Sequence, residues 1–147
     1  MTCMPIVAAV DRNGPNDQVL KEAQNLAGGF NDEVHVVHVL SQKEFREIEQ
    51  TSVEETGTTV SMDEIRSFAK EVADEAAEGV VDTYHPVGLV GDAADELVDY
   101  VENNDARYIV VGSRKRSPVG KALFGSVAQS VLLSAPCPVV AVIQDKE

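Results

Sequence analysis

The sequence predicts an α/β fold, a mostly parallel open sheet of five strands with helices on both faces. Three observations carry that reading. Apolar runs of strand length alternate along the chain with amphipathic stretches of helix length. Two of the runs, residues 34–40 and 108–111, are nearly continuous in β-branched residues, as strands buried on both faces require. The 147 residues, 44% of them hydrophobic, suffice for one compact domain and fall short of two ordinary ones. Residues 1–147 therefore read as a single domain.

The elements follow in order. The first strand, residues 6–10, is bounded by Pro5 and by the turn formers Asp11, Asn13, Gly14 and Pro15. Val19, Leu20, Ala23, Leu26 and Ala27 form a helical stripe that Gly28 and Gly29 should close. After the second strand, residues 41–60 are polar and rich in Glu, Gln and Thr. They read as a mobile excursion over the sheet edge, with at most a short helical turn at residues 45–48. Ile65, Phe68, Ala69, Val72, Ala73 and Ala76 form the next stripe, opened by the capping box of Ser61 and Glu64 and closed by Gly79. The third strand, about residues 80–90, is interrupted by Pro86 and Gly88. Proline donates nothing to a ladder, so this strand belongs at an edge.

Ala94, Leu97, Val98 and Val101 form a third helix with Asp92 as its N-cap. Beyond the fourth strand, residues 118–134 are helical in pattern, and Ser117 and Pro118 fit the N-cap and first helical position. Gly125 and Ser126 inside that stretch predict a break and a second helix start. Val139, Val140, Ala141, Val142 and Ile143 make the fifth strand.

The net charge of −13 disfavours a duplex-DNA binder held by phosphate neutralisation, so no direct nucleic-acid partner is expected. The charge is uneven: 6 basic and 23 acidic side chains precede Ala106, whereas 6 basic and 2 acidic ones follow Asp105. The last third can host an anion on an otherwise acidic protein. Such acidity also keeps proteins hydrated in salt-rich cytoplasm, which points by analogy to a halophilic source. No stretch reaches the ~18 apolar residues of a membrane span and no secretory leader is apparent, so a cytoplasmic protein is expected. Cys3 and Cys137 make no disulfide framework. No metal site is expected, since His35 and His38 lie on opposite faces of one strand and His85, beside Pro86, reads as surface.

In an open α/β sheet the ligand crevice lies beyond the carboxyl ends of the strands. The most informative loop there leaves the fourth strand at Gly112 and carries Arg114, Lys115, Arg116 and Lys121 toward helix N-termini, whose free amides attract anions. The alternative is a solvated basic loop that keeps Gly112 for a turn and Gly125 for a kink. The loop is not a Walker A motif, and the first loop lacks a dinucleotide fingerprint. Ser113 and Ser126 do not sit in a nucleophile elbow.

The spacing Gly112-x2-Lys115-x9-Gly125-Ser126 resembles the universal stress protein signature, Gly-x2-Gly-x9-Gly-Ser/Thr. The resemblance extends to the first strand ending in Asp11, to His38 and Val39, to Val90-Gly91-Asp92 and to the closing Pro138-to-Val142 run. It covers essentially the whole chain, which is identified as a member of this UspA-like family, and the acidic composition suggests a halophilic archaeon.

The resemblance implies a Rossmann-like five-stranded parallel sheet of order 3-2-1-4-5 and an ATP or AMP ligand, with Mg accompanying the nucleotide. It implies that Asp11 meets the ribose or base, that Ala9, Val10 and Val39 line the adenine, and that Val111 and Gly112 close the pocket. Gly125, Ser126 and Val127 would serve the phosphates and Gly91 the ribose.

Lys115 departs from the signature glycine, whose missing Cβ lets backbone approach phosphate. Two outcomes compete: Lys115, with Arg114 and Arg116, supplies ionic contacts in place of the amide cradle, or the loop closes the site and leaves a member that binds no nucleotide. The leading expectation is a regulatory binding module with slow or absent catalysis. The alternatives are a dimeric interaction protein without nucleotide and a slow nucleotide hydrolase using Asp11 and a metal. A homodimer through Val139 to Ile143 is expected from the apolar, unprotected edge that the implied strand order gives the last strand.

Overall fold

The computed structural model describes residues 4–57, 60–113 and 124–144. Chain order is β1 (Ile6–Ala9), α1 (Asp17–Phe30), β2 (Val34–Leu40), α2 (Gln42–Thr56), α3 (Met62–Ala77), β3 (His85–Val90), α4 (Ala93–Asn103), β4 (Tyr108–Gly112), α5 (Ser126–Ser134) and β5 (Val139–Val142). The five strands pair in the order β3-β2-β1-β4-β5, every pair parallel. Both β3 and β5 are edges, and Pro86 sits in β3 where one side needs no ladder donor. No helix among the described residues is long and apolar enough to cross a membrane.

Strand alternation divides the core into two layers. Ile6, Ala8, Val36 and Val110 pack with α1 and α3 residues such as Leu20, Ala23 and Ala73, while Val7, Val37, Ile109 and Val111 pack with Leu97, Val101, Ala128 and Val131 of α4 and α5. At β3 the helix layer comes unusually close. A Cβ on Gly88 would overlap the Lys70 backbone nitrogen and the Arg66 carbonyl oxygen of α3 and stand 2.9 Å from the Ala69 carbonyl carbon.

At the amino end of the sheet a buried carboxylate ties three segments together. Asp32 accepts hydrogen bonds from the Met4 amide (3.0 Å) and from Arg107 Nε. The Arg107 guanidinium lies 4.4 Å over the Phe30 ring, and its amide donates to the Pro5 carbonyl at 2.9 Å.

Several elements differ from the sequence expectation. Residues 42–56, expected as an excursion, form the full helix α2. It opens with a reciprocal capping box between Ser41 and Glu44 and closes on Gly57 in the left-handed region. No α2 residue is fully buried, but Phe45 and Ile48 pack against Leu40, Ile65 and Ala69. Helix α1 continues through Gly28 and Gly29 to Phe30 and ends on Asn31 at φ 58°, held by its amide bond to the Ala27 carbonyl. Phe30 stacks near Tyr108 at 5.8 Å, which draws the last turn onto the sheet. Strand β3 begins at His85 rather than near residue 80, because Val80 and Val81 bond back to the Ala77 carbonyl. Strands β1 and β5 each stop one residue early, at Ala9 and Val142. The expected helix start is present, with Gly125 as N-cap and α5 beginning at Ser126, whereas residues 118–123 lie outside the described residues.

Candidate functional site

Strands β1 and β4 are neighbours that lead to opposite sides of the sheet, so the crevice beyond their carboxyl ends is the topological switch point. A cavity of about 140 Å³ opens there. Ala9, Val10, Val39, Val111 and the cavity-facing helix residues Leu97 and Ala128 give it apolar walls. Asp11, Gly112, Ser113, Gly125 and Val127 stand among its lining. Whole-ligand pockets start at about 300 Å³, so this space has the size of a planar ring rather than of a whole ligand.

Of the expected site residues, the cavity brings together Ala9, Val10, Asp11, Val39, Val111, Gly112, Gly125 and Val127. Ser126 is exposed and is the first residue of α5, between two lining residues. Gly91 does not line the cavity. Its φ of +144° and its amide bond to the Leu40 carbonyl (3.0 Å) give it a backbone role at the β3–α4 junction. Arg114 and Lys115 lie outside the described residues.

Helix α5 is the element suited to an anion. Its N-cap, Gly125, supplies no side-chain cap and its first turn holds no acidic residue. Each of α1, α2, α3 and α4 has an acid in the first turn, and α2, α3 and α4 are also capped by Ser41, Ser61 and Asp92. Among the described residues, neither a cap side chain nor a first-turn acid offsets the positive dipole end of α5, at the edge of the cavity.

Several residues take supporting roles that the sequence alone does not assign. The Asn16 side chain clasps the Asp11 backbone twice, accepting from its amide at 2.9 Å and donating to its carbonyl at 2.8 Å, and so holds Asp11 at the cavity mouth. Ser113 and Gln144 are both buried and clasp each other: the Gln144 amide donates to Ser113 Oγ at 2.9 Å, and Gln144 Nε2 donates to the Ser113 carbonyl at 3.0 Å. This anchors the start of the basic loop to the end of β5. It also explains Gly112, where a Cβ would stand 2.8 Å from Val19 Cγ2 and 2.9 Å from Gln144 Cδ. His38 is buried, stands among the cavity lining, and donates from Nδ1 to the Val10 carbonyl at 3.0 Å, bracing the β1 end.

A larger groove of about 550 Å³ lies on the other side of Asp11, between the β1–α1 loop and α3. Among the described residues, Asp11, Asp17, Glu71 and Glu75 face it against one cation, Arg12, a charge balance that repels phosphate. The smaller cavity is the better candidate for an anionic ligand.

An open parallel sheet whose connections diverge at a switch point between β1 and β4 defines an α/β domain of the doubly wound class. The chain belongs to the universal stress protein family, whose model matches residues 3–142. It is 30% identical over 142 residues to a universal stress protein of Methanocaldococcus jannaschii, covering 97% of this chain and 83% of that one. A universal stress protein of Mycolicibacterium smegmatis is 53% identical over 57 residues, 39% of this chain, and the match spans only 42% of that relative's length. Among solved structures, a universal stress protein from Archaeoglobus fulgidus superposes with a TM-score of 0.62 at 34% identity, covering 95% of this chain and 98% of that one. A structure of the universal stress protein from Archaeoglobus fulgidus in complex with dAMP superposes at 0.59 with 30% identity, covering 96% and 98%.

Proposed function

We propose that this protein binds an adenine nucleotide, ATP or AMP, as a regulatory module whose ligand sets a conformational or partner-binding state. The observation that carries the reading is the juxtaposition of the apolar cavity with the uncapped, acid-free N-terminus of α5. The dAMP complex of the Archaeoglobus fulgidus relative supports it. In this reading Ala9, Val10, Val39 and Val111 hold the base, Asp11 the ribose, and the amides of Gly125, Ser126 and Val127 the phosphates. Arg114 and Lys115, which follow Ser113 in the sequence, would add ionic contacts.

Titration calorimetry with ATP, ADP and AMP, with and without Mg²⁺ and at low and high salt, tests the reading. Saturable binding is expected. Gly125→Val should weaken it by about tenfold or more, equivalent to ~1.4 kcal/mol. The Gly125 backbone at φ −72° accepts any residue, so this variant should fold. Absence of binding to all three nucleotides would transfer the reading to an interaction protein. Lys115→Gly separates the roles of that side chain: weaker binding marks a phosphate contact, tighter binding an obstruction.

The same chain is proposed to form a homodimer through β5. This edge strand carries half-exposed valines, Ile143 beyond it is 37% exposed, and Leu133 on the adjacent α5 is 88% exposed. Antiparallel pairing across a two-fold axis would satisfy the free edge and close without generating filaments. Light scattering should give twice the chain mass, falling to one chain mass in the Val140→Pro, Val142→Lys double variant. A native protein monomeric at micromolar concentration would refute it. The net charge of −13 and the archaeal relatives support placement in the cytoplasm of a halophilic archaeon.

A further inference from the structure

We propose that Glu33, His35 and His85 form a binding site for a divalent transition cation of the zinc class, at the opposite end of the sheet from the nucleotide crevice. Two features of the fold bring the three together. Glu33 immediately precedes β2 and stands two residues from His35, hence on the same face. The parallel register of β2 and β3 then sets His35 directly beside His85. A separation of fifty positions conceals this proximity in the sequence.

The geometry suits a metal. Glu33 Oε1 lies 3.1 Å from His35 Nε2 and 3.6 Å from His85 Nε2, and the three candidate ligand atoms all fall within 4.8 Å of one another. Ligand atoms held tetrahedrally at about 2.05 Å from zinc are ~3.3 Å apart, so two edges of the tetrahedron are nearly formed. Rotation of His85, whose side chain is 59% exposed, adjusts the third. Among the described residues no other three His, Cys, Asp or Glu side chains converge in this way.

The surroundings supply what a metal-bound histidine needs. His35 Nδ1 is 2.6 Å from the Tyr100 hydroxyl of α4. With Nδ1–H donating to that oxygen, the lone pair resides on Nε2, the atom facing Glu33 and the tautomer required for coordination. Two imidazoles and one carboxylate match zinc, and also nickel or copper(II), better than the all-oxygen cages of calcium and magnesium. Three protein ligands leave a position open to water or to a group from a partner. A cation here would tie edge strand β3 to β2 through a side-chain link.

The competing account is an ion pair in which protonated histidines contact Glu33 without metal. Competition between the untagged, chelator-treated full chain and a chromophoric zinc indicator discriminates between them. One zinc per chain is expected, with a Kd in the micromolar range or below. His85→Gln and Glu33→Gln, both at exposed positions, should weaken zinc binding at least about tenfold, and Tyr100→Phe, which removes the outer partner, by ~10-fold. Their thermal melts in chelator should match that of the native chain. Cobalt(II) should give tetrahedral d–d bands without thiolate charge transfer. Absence of zinc binding by the native chain, unchanged affinity in both His85→Gln and Glu33→Gln, or a thiolate band pointing to Cys3 or Cys137 would each overturn the proposal.

Discussion

Gly88→Ala is expected to destabilise the protein by about 3 kcal/mol, the upper range for forcing an extra group into a packed interior. The reason is that the obstacle is backbone. The added methyl would meet the Lys70 nitrogen and the Arg66 carbonyl, and neither can rotate away as a side-chain end could. Accommodation requires α3 to lift from the sheet, which opens the contacts of Ala69 and Ala73, both fully buried. Gly28→Ala is the matched control. Its Cβ would have nothing within 4 Å and it sits inside α1, so the exchange should stabilise by roughly 0.4–1 kcal/mol through lost unfolded-state freedom. Urea unfolding of both variants checks the pair. A Gly88→Ala loss below about 0.5 kcal/mol, the range of inert surface changes, would show that α3 yields easily.

The second large effect is expected at Asp32, whose side chain is 1% exposed. Burial alone would raise its carboxyl above the ordinary 3.8. The hydrogen bonds from Arg107 and the Met4 amide, together with the Arg107 charge, outweigh that and hold it lower. A carboxylate depressed in the folded state contributes stability that is complete above pH 3.8 and is lost as pH falls through the lower native value.

Arg107→Ala leaves that carboxylate buried without its cation and also strips the Phe30 ring of its cover. Breaking fully buried pairs costs ~3–5 kcal/mol; because the Arg107 side chain is 30% exposed, about 2–3 kcal/mol is expected at neutral pH. Many carboxylates titrate in acid, so the informative quantity is the gap between variant and native protein. It should narrow as pH falls and Asp32 protonates. A gap near zero at neutral pH, or one that widens in acid, would mean that the pair contributes no more than an exposed ion pair.

Much of the architecture was legible before any coordinate. The β-branched runs marked the buried strands, Pro86 put β3 at an edge, Ser61 with Glu64 opened α3, and Asp92 capped α4, because each is a local preference that tertiary packing had no reason to override. The strand order came from resemblance, and the sheet has that order. Helix α2 was missed although Ser41 and Glu44 carry the same capping signature as Ser61 and Glu64; its apolar stripe is so thin that polarity masked the caps.

The remainder depended on long-range contact. Gly28 and Gly29 look like a helix end, but packing of Phe30 on Tyr108 carries α1 past them to Asn31. Gly112 looks like part of a phosphate loop, yet its missing side chain makes room for Val19 and Gln144. Gly91 matches the family pattern in sequence and stands outside the cavity in space. His35 and His85 are neighbours only because two parallel strands pair in one register. Local spacing and propensity therefore determined the elements and their caps. Which side chains meet was decided by strand pairing and by how closely helices settle on the sheet, since those contacts join residues that the sequence holds far apart.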